Sequence, residues 1–256
     1  LYGIRHINRE AIVEIVRRKM RDFGFCLPSR SFDPRLVVPF GSSEIISVCM
    51  RAGTVDCAVV VCDGVGTVIT DDPDLVQGIG ARLNGILKTS PIAEVVERVK
   101  SMGGRPLDEE RASIDQPKGV RVAAEMGFRR IAVTVIGPRS RDIPAIRKIE
   151  RRLSLEVSVF STCNTLVGEE DIPNLCMADI VCSSASRIVR ERIGPKSIVQ
   201  LGVSIPVFVL TQRGKELAFT YLKHARAPLL VSRARLPFLE GTRQPRPLFG
   251  ENVGDQ

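Results

Sequence analysis

The sequence predicts an α/β fold in which mainly parallel sheets are flanked by helices, arranged as one body or as two packed lobes. Three observations point there. The run Cys57–Cys62 is wholly apolar and bounded by turn residues, the pattern of a strand buried on both faces. From Arg130 to His224, strand-type and helix-type segments alternate regularly, which implies right-handed crossovers between parallel strands. A chain of 256 residues with 44% hydrophobic content can bury one large or two modest cores.

Taken in order, Asn8 caps a helix running to about Phe23, with Ile12, Ile15, Val16, Met20 and Phe23 as its apolar stripe and Arg17, Arg18 and Arg21 toward water. Gly24 stops it, and Pro28 and Pro34 mark an irregular connection. Gly41-Ser42-Ser43-Glu44 opens a helix to about Arg51, with Ser42 or Ser43 as cap, or with its amides free for an anion. After the central strand, Asp72 at N-cap and Pro73 at N1 start a helix, and capping explains the acids at Asp71, Asp72 and Asp74 better than a magnesium site does. That helix carries Leu75, Val76, Ile79, Leu83 and Ile86 at helical spacing. Gly78 and Gly80 inside it should cost roughly 2 kcal/mol against alanine, which is tolerable where another backbone or a ligand must come close. Gln77, Gly78 and Gly80 are therefore a candidate contact surface.

Helices follow from Ser90-Pro91 to Gly103-Gly104 and from Asp115-Gln116-Pro117 to Gly127, the second capped by Asp115. Then come strand 130–136, helix 140–153, strand 155–160, helix 169–177, strand 179–183, helix 186–193, strand 205–210 and helix 215–224. This reads as a Rossmann-like arrangement, with an N-terminal lobe at 1–114 and a C-terminal lobe at 115–225. Residues 226–256, with four prolines and five arginines, read as a peripheral tail.

Ligands of open α/β sheets bind at the carboxyl edge of the strands. The exit of the central run supplies Cys62, Asp63, Gly64, Gly66 and Thr67, and the corresponding ends of later strands supply Cys163, Ser184 and Ser186. With only two histidines, His6 near the N-terminus and His224 near the end of the last helix, a histidine-centred triad is not expected. Asp63, partly desolvated at a strand mouth, is the candidate general base, and the alternative is that it fixes the Gly64–Thr67 turn. Cys62 and Cys163 are the candidate nucleophiles or metal ligands. Asp115 and Gln116 complete the candidate ligand set with Gly41, Ser42, Ser43 and Glu44. Cys57 and Cys62, five apart on one strand, point to opposite faces and cannot share a metal. Metal and cofactor are left unassigned.

The net charge of +8 favours acidic partners or an anionic small-molecule ligand. Aromatics are only 5% of the chain and no basic run alternates with them, so nucleic-acid binding is the weakest reading. Seven cysteines, an odd number in a chain of this size, read as reduced thiols. The longest charge-free apolar stretch, about Ser197 to Gln212, is interrupted by Gly202, Ser204 and Pro206, so no membrane span is expected. The chain begins at Leu1, which leaves open a targeting segment ahead of it; cytoplasm is the default expectation.

Several segments together resemble methanogenesis marker protein 8. They are Asp56–Ile69, Asp74–Gly80, Lys88–Ile92, Ile114–Gln116, Glu125–Phe128 with Ile131–Val135, and Ile205–Phe208 with Gly214-Lys215. Each is weak alone; the colinear set, from about Phe23 to Leu222, is specific. The resemblance implies an anaerobic archaeal cytoplasm and an accessory role in methanogenesis, such as assembly or activation of methyl-coenzyme M reductase or its cofactors. It implies no reaction. It weakens at Ser161–Thr165 and Cys182–Ser186, where that family's pattern carries a His-containing turn and a further Cys, so a divergent member with a changed site is expected. An enzyme acting on a phosphorylated or carboxylated small molecule is the alternative.

Overall fold

The structure is a computed structural model and describes residues 6–81, 85–225, 228–239 and 246–247. The elements begin with β1 (His6–Ile7), α1 (Arg9–Phe23), α2 (Ser42–Arg51), β2 (Cys57–Cys62), β3 (Gly66–Thr70), α3 (Pro73–Gly80), α4 (Ala93–Ser101) and β4 (Arg105–Pro106). They continue with α5 (Gln116–Glu125), β5 (Arg130–Ile136), α6 (Asp142–Leu153), β6 (Glu156–Thr162), α7 (Ile172–Leu175), β7 (Ile180–Cys182) and α8 (Arg187–Arg192). The last are β8 (Val199–Leu201), β9 (Val207–Val209), α9 (Gln212–His224) and β10 (Arg246–Pro247), which pairs with β1.

Eight strands form one mixed sheet in the order β4-β3-β2-β5-β6-β7-β9-β8. The four central strands β2, β5, β6 and β7 are parallel, and antiparallel pairs close both edges. This is the expected α/β class. Residues on both sides of the 114/115 boundary share the sheet, joined where Cys57–Val59 pair with Ile131–Val133.

Two expectations about strands are corrected. The Cys57–Ile69 stretch is a hairpin rather than one strand and its exit: the chain reverses at Asp63-Gly64-Val65 and β3 returns along β2 from Cys62↔Gly66 to Ala58↔Thr70. All residues of β2 and β3 are buried, so no alternation marked the reversal. Likewise β9 runs antiparallel to β7, because the chain first lays down β8 and turns back through Gly202 (φ 72°).

The sheet separates two cores. Ala58, Val60 and Cys62 face α2, α3, α4 and α9 among Ile45, Ile46, Leu75, Ile79, Val95 and Val99; Cys57 and Val59 face the α5–α8 layer with Ile131, Ile143, Ile146 and Val189. The two cysteines therefore lie on opposite sides, as their odd spacing requires. Each such fully buried aliphatic contributes about 1.5–3 kcal/mol.

Helix starts follow their residues. Asn8 accepts from Ala11 N at 2.7 Å, Asp72 from the amides of Asp74 and Leu75, and Asp115 from Lys118 N at 2.8 Å. α2 departs from expectation, since its N-cap is Gly41 and neither Ser42 nor Ser43 caps it. α3 ends at Gly80; the expected continuation through Leu83 lies outside the described residues, and Ile86 belongs to no helix. Gly78 has the predicted cause, since a Cβ there would meet the Phe32 carbonyl oxygen at 2.7 Å, whereas Gly80 makes room for a side chain, the Ser43 Cβ at 2.4 Å. Of the tail, 228–239 and 246–247 are described. Phe238 docks on β8, its N–H donating to Gln200 Oε1 at 2.9 Å, while Leu230 and Val231 are exposed.

Candidate functional site

The carboxyl ends of β2, β5 and β6 surround a recess of about 30 Å³ lined by Val61, Ile86, Ile114, Gln116, Thr134–Ile136, Arg139, Thr162 and Cys163. That volume is far below the roughly 300–1,000 Å³ of pockets that enclose a small molecule, so the recess takes the head of a ligand rather than a whole one. α1 lies over this edge, its Val16 packing on the Phe25, Val61 and Ile86 cluster.

The one buried side chain of α1 is a cation, Lys19. Burial draws its ammonium down from 10.5 to about 8, opposed by the Cys163 thiol and the Asp63 carboxylate and reinforced by Arg30. Lys19 was missed in the sequence, although it stands three residues after Val16 and four before Phe23, on the stripe itself. The stripe's expected first member, Ile12, is exposed instead.

Cys163, at the end of β6, has φ 52° and ψ 49°, a left-handed conformation unusual for a residue with a Cβ. Ser184, past the end of neighbouring β7, has φ 50°. The two turns interlock: Asn164 N donates to Ser184 Oγ at 2.9 Å, and Asn164 Nδ2 to the Cys182 carbonyl at 2.7 Å. Asn164 is itself braced by Ser161, whose hydroxyl donates to Asn164 Oδ1 at 2.9 Å. Cys163 is half-buried, and burial pushes its thiol up to about 11, with Cys182 raising it further and Thr162, Lys19 and the Gly85 amide working against the rise. It rests as a protonated thiol.

The other proposed catalytic residues have different roles. Asp63 is fully buried and ion-paired with Arg30, whose Nε lies 2.9 Å from Oδ1, and its second oxygen accepts from Cys26 N at 2.7 Å. With no exposed oxygen it is an anchor for the Cys26–Arg30 loop rather than an accessible base. Cys62 is equally buried, its thiol directed to the Asp63 carbonyl at 3.3 Å, and burial followed by the Asp63 charge pushes it well above the ordinary thiol range. It is core, not an available nucleophile.

Most of the candidate ligand residues are stitches between elements. Thr67 donates its hydroxyl to Gln116 Oε1 at 2.8 Å and accepts from Asp115 N at 2.9 Å; Gln116 Nε2 reaches the Val59 and Thr134 carbonyls. Gln116 still borders the recess. Gly64 (φ 76°) and Gly66 (φ 80°) shape the hairpin turn, and a Cβ on Gly66 would lie 2.3 Å from the Ala112 carbonyl oxygen. Ser186 caps α8, accepting from Val189 N at 3.3 Å. Gly41, Ser42, Ser43, Glu44 and Gln77 belong to the α2–α3 layer. There Glu44 accepts from Tyr221 Oη at 2.9 Å, its carboxyl raised by burial, and Gln77 Nε2 donates to the Leu36 carbonyl at 2.7 Å. Among the described residues no group of three or more His, Cys, Asp or Glu side chains is arranged to hold a metal ion. No helix there is long and apolar enough to cross a membrane.

Residues 1–223 match a family described as uncharacterised proteins conserved in archaea. An uncharacterised protein of Methanocaldococcus jannaschii is 36% identical over 249 residues, covering 96% of this chain and 86% of that protein. The chain belongs to this archaeal family.

Proposed function

We propose that this family member is an accessory protein of methanogenic archaea that handles an anionic small molecule at the carboxyl edge of its sheet. Its partners would be methyl-coenzyme M reductase or the factors that assemble it. The observation carrying the ligand site is Cys163 at a recess bordered by Arg139 and electrostatically coupled to buried Lys19. Arg139 at the rim, whose Nε also pairs with Asp142 at 2.9 Å, and the buried Lys19 charge acting on Cys163 suit a carboxylate or phosphate on a short aliphatic body. The cellular context rests on the marker-protein resemblance and on a relative from a methanogen.

Thermal melting of the reduced protein against carboxylated and phosphorylated thiols and coenzymes tests the ligand. Stabilisation by at least one, lost in Arg139→Met, is expected; a flat panel for a protein that melts cooperatively would end the reading. Anaerobic affinity isolation from a methanogen extract tests the partner, and recovery of no methanogenesis enzyme or assembly factor refutes that half.

A second reading, an enzyme that transforms the same ligand, is favoured by backbone strain at Cys163 and Ser184 on adjacent strand ends. Product formation from a stabilising ligand, abolished in Cys163→Ser, separates it from a binding protein.

A further inference from the structure

The ends of β6 and β7 hold a second thiol beside Cys163. Register places Ser161 beside Val181, and one further step along both strands sets Thr162 beside Cys182. Cys163 is therefore diagonal to Cys182. Ideal strand spacing of ~4.8 Å and a rise of ~3.3 Å per residue set diagonal neighbours about 6 Å apart, within the span a disulfide bridges, and the two thiols are close enough for Cys182 to act on the Cys163 charge. The left-handed turn at Cys163 redirects its side chain from the strand alternation, and the loop after Cys182 is held against it by the Asn164–Ser184 bond. Ser184 Oγ in turn touches Cys182 Sγ at 3.9 Å. Cys182 and Cys163 are both half-buried, whereas Cys49, Cys57 and Cys62 are sealed in the cores.

We propose that Cys163 and Cys182 form a dithiol–disulfide couple whose oxidant is a small-molecule disulfide admitted at the recess. Cys163, having lost its proton to solvent, attacks one sulfur of the small disulfide; that S–S bond breaks, a mixed disulfide forms on Cys163, and one small thiolate leaves and is protonated. Cys182, deprotonated in turn, attacks the Cys163 sulfur. The protein disulfide closes and the second small thiolate leaves. Two protein thiols are oxidised, one small disulfide is reduced to two thiols, and the protons balance. Below about pH 8, where Lys19 is still an ammonium, its charge favours the Cys163 thiolate, while burial keeps the exchange slow at neutral pH.

This extends the thiol site of the preceding reading without requiring its ligand, since the melting panel is read on reduced protein. The test exposes anaerobically reduced full-length protein to hydroxyethyl disulfide at about pH 9, where exchange is accelerated. Free thiols are then alkylated and the chain is cleaved after acidic residues. Glu169, Glu170, Asp171 and Asp179 separate Cys163, Cys176 and Cys182 onto different peptides. Expected is a linked Cys163–Cys182 peptide pair, two hydrogens lighter than the reduced pair. In Cys182→Ser the reaction stops at a mixed disulfide on Cys163, and in Cys163→Ser no link forms. A persistent mixed disulfide on wild-type Cys163, or both thiols still alkylatable after exposed Cys26 has reacted, overturns the proposal. Wild-type peptide mapping decides the question even if a serine variant fails to fold.

Discussion

Arg30 Nε lies 2.9 Å from Asp63 Oδ1, and neither side chain reaches solvent. The guanidinium also donates to the carbonyls of Ser31 and Ile79, while Arg98 binds the carbonyls of Pro28 and Arg30 from outside. The pair thus ties the loop after α1 to the β2–β3 turn and to the end of α3. Asp63→Asn leaves a buried guanidinium without its counter-charge and should destabilise the fold by about 3–5 kcal/mol. Arg30→Met and Asp63→Leu combined should lose much less than the sum of these same two changes made singly, and wild type, the two singles and the double make up the cycle. Urea titration of the four proteins checks this; additive losses would mean the two residues act separately.

The hairpin turn gives a second expectation. Gly66 combines φ 80° with a Cβ position 2.3 Å from the Ala112 carbonyl oxygen, so Gly66→Ala is both strained and overpacked against backbone. A loss of at least about 2 kcal/mol is expected. Gly53→Ala, at φ 70° but in open space, carries the conformational part alone. Equal denaturation midpoints for the two variants would show that the Ala112 contact is relieved without penalty.

How far these features were legible depends on whether their causes are local. Asp72 before Pro73, Asp115 before Gln116-Pro117, and Gly24 after Phe23 announce helix boundaries through bonds spanning no more than five residues, and the structure has them. Gly78 and Gly80 announced a close approach without naming Phe32 and Ser43 as what approaches. The β2–β3 reversal was invisible because burial on both faces erases the alternation that would separate two strands. The role of Asp63 was hidden for another reason: its partner Arg30 is 33 residues away in a loop without periodicity. Lys19 was obscured by its charge, which on a helix ordinarily marks the wet face. Of the proposed nucleophiles only Cys163 reaches the recess, and Cys182 came into view only through the β6–β7 register.

Lys19 makes stability depend on pH with a definite sign. Its ammonium is held at about 8 in the folded protein against 10.5 ordinarily, so between these values the unfolded chain binds more protons. Stability from this group therefore rises as pH increases from about 8 to about 10.5, by about 3 kcal/mol at most, and below about 8 the buried charge is a constant penalty. Lys19→Met removes both effects. The difference in unfolding free energy between variant and wild type should favour the variant at pH 7 and shrink toward pH 10.5. A difference independent of pH would show that Lys19 keeps its ordinary affinity for protons.

The same pair of groups predicts the reactivity of Cys163. Burial holds its thiol at about 11 and Lys19 works against that rise, so only a small fraction is thiolate at neutral pH. Because the thiolate is the nucleophile, iodoacetamide modification of Cys163 should accelerate about tenfold per pH unit above neutrality. Loss of the Lys19 proton near pH 8 should flatten the slope there, as the cation that aids the thiolate disappears. Lys19→Met should be slower than wild type below that pH, with no such inflection. Cys26, which is exposed, supplies an internal reference, while Cys49, Cys57 and Cys62, which are buried, should stay unmodified until the protein unfolds. Peptide-resolved alkylation rates measure all of these together. A Cys163 rate that levels off near pH 8 would mean the thiolate is already formed there, and the site would then be a far faster nucleophile than its burial allows.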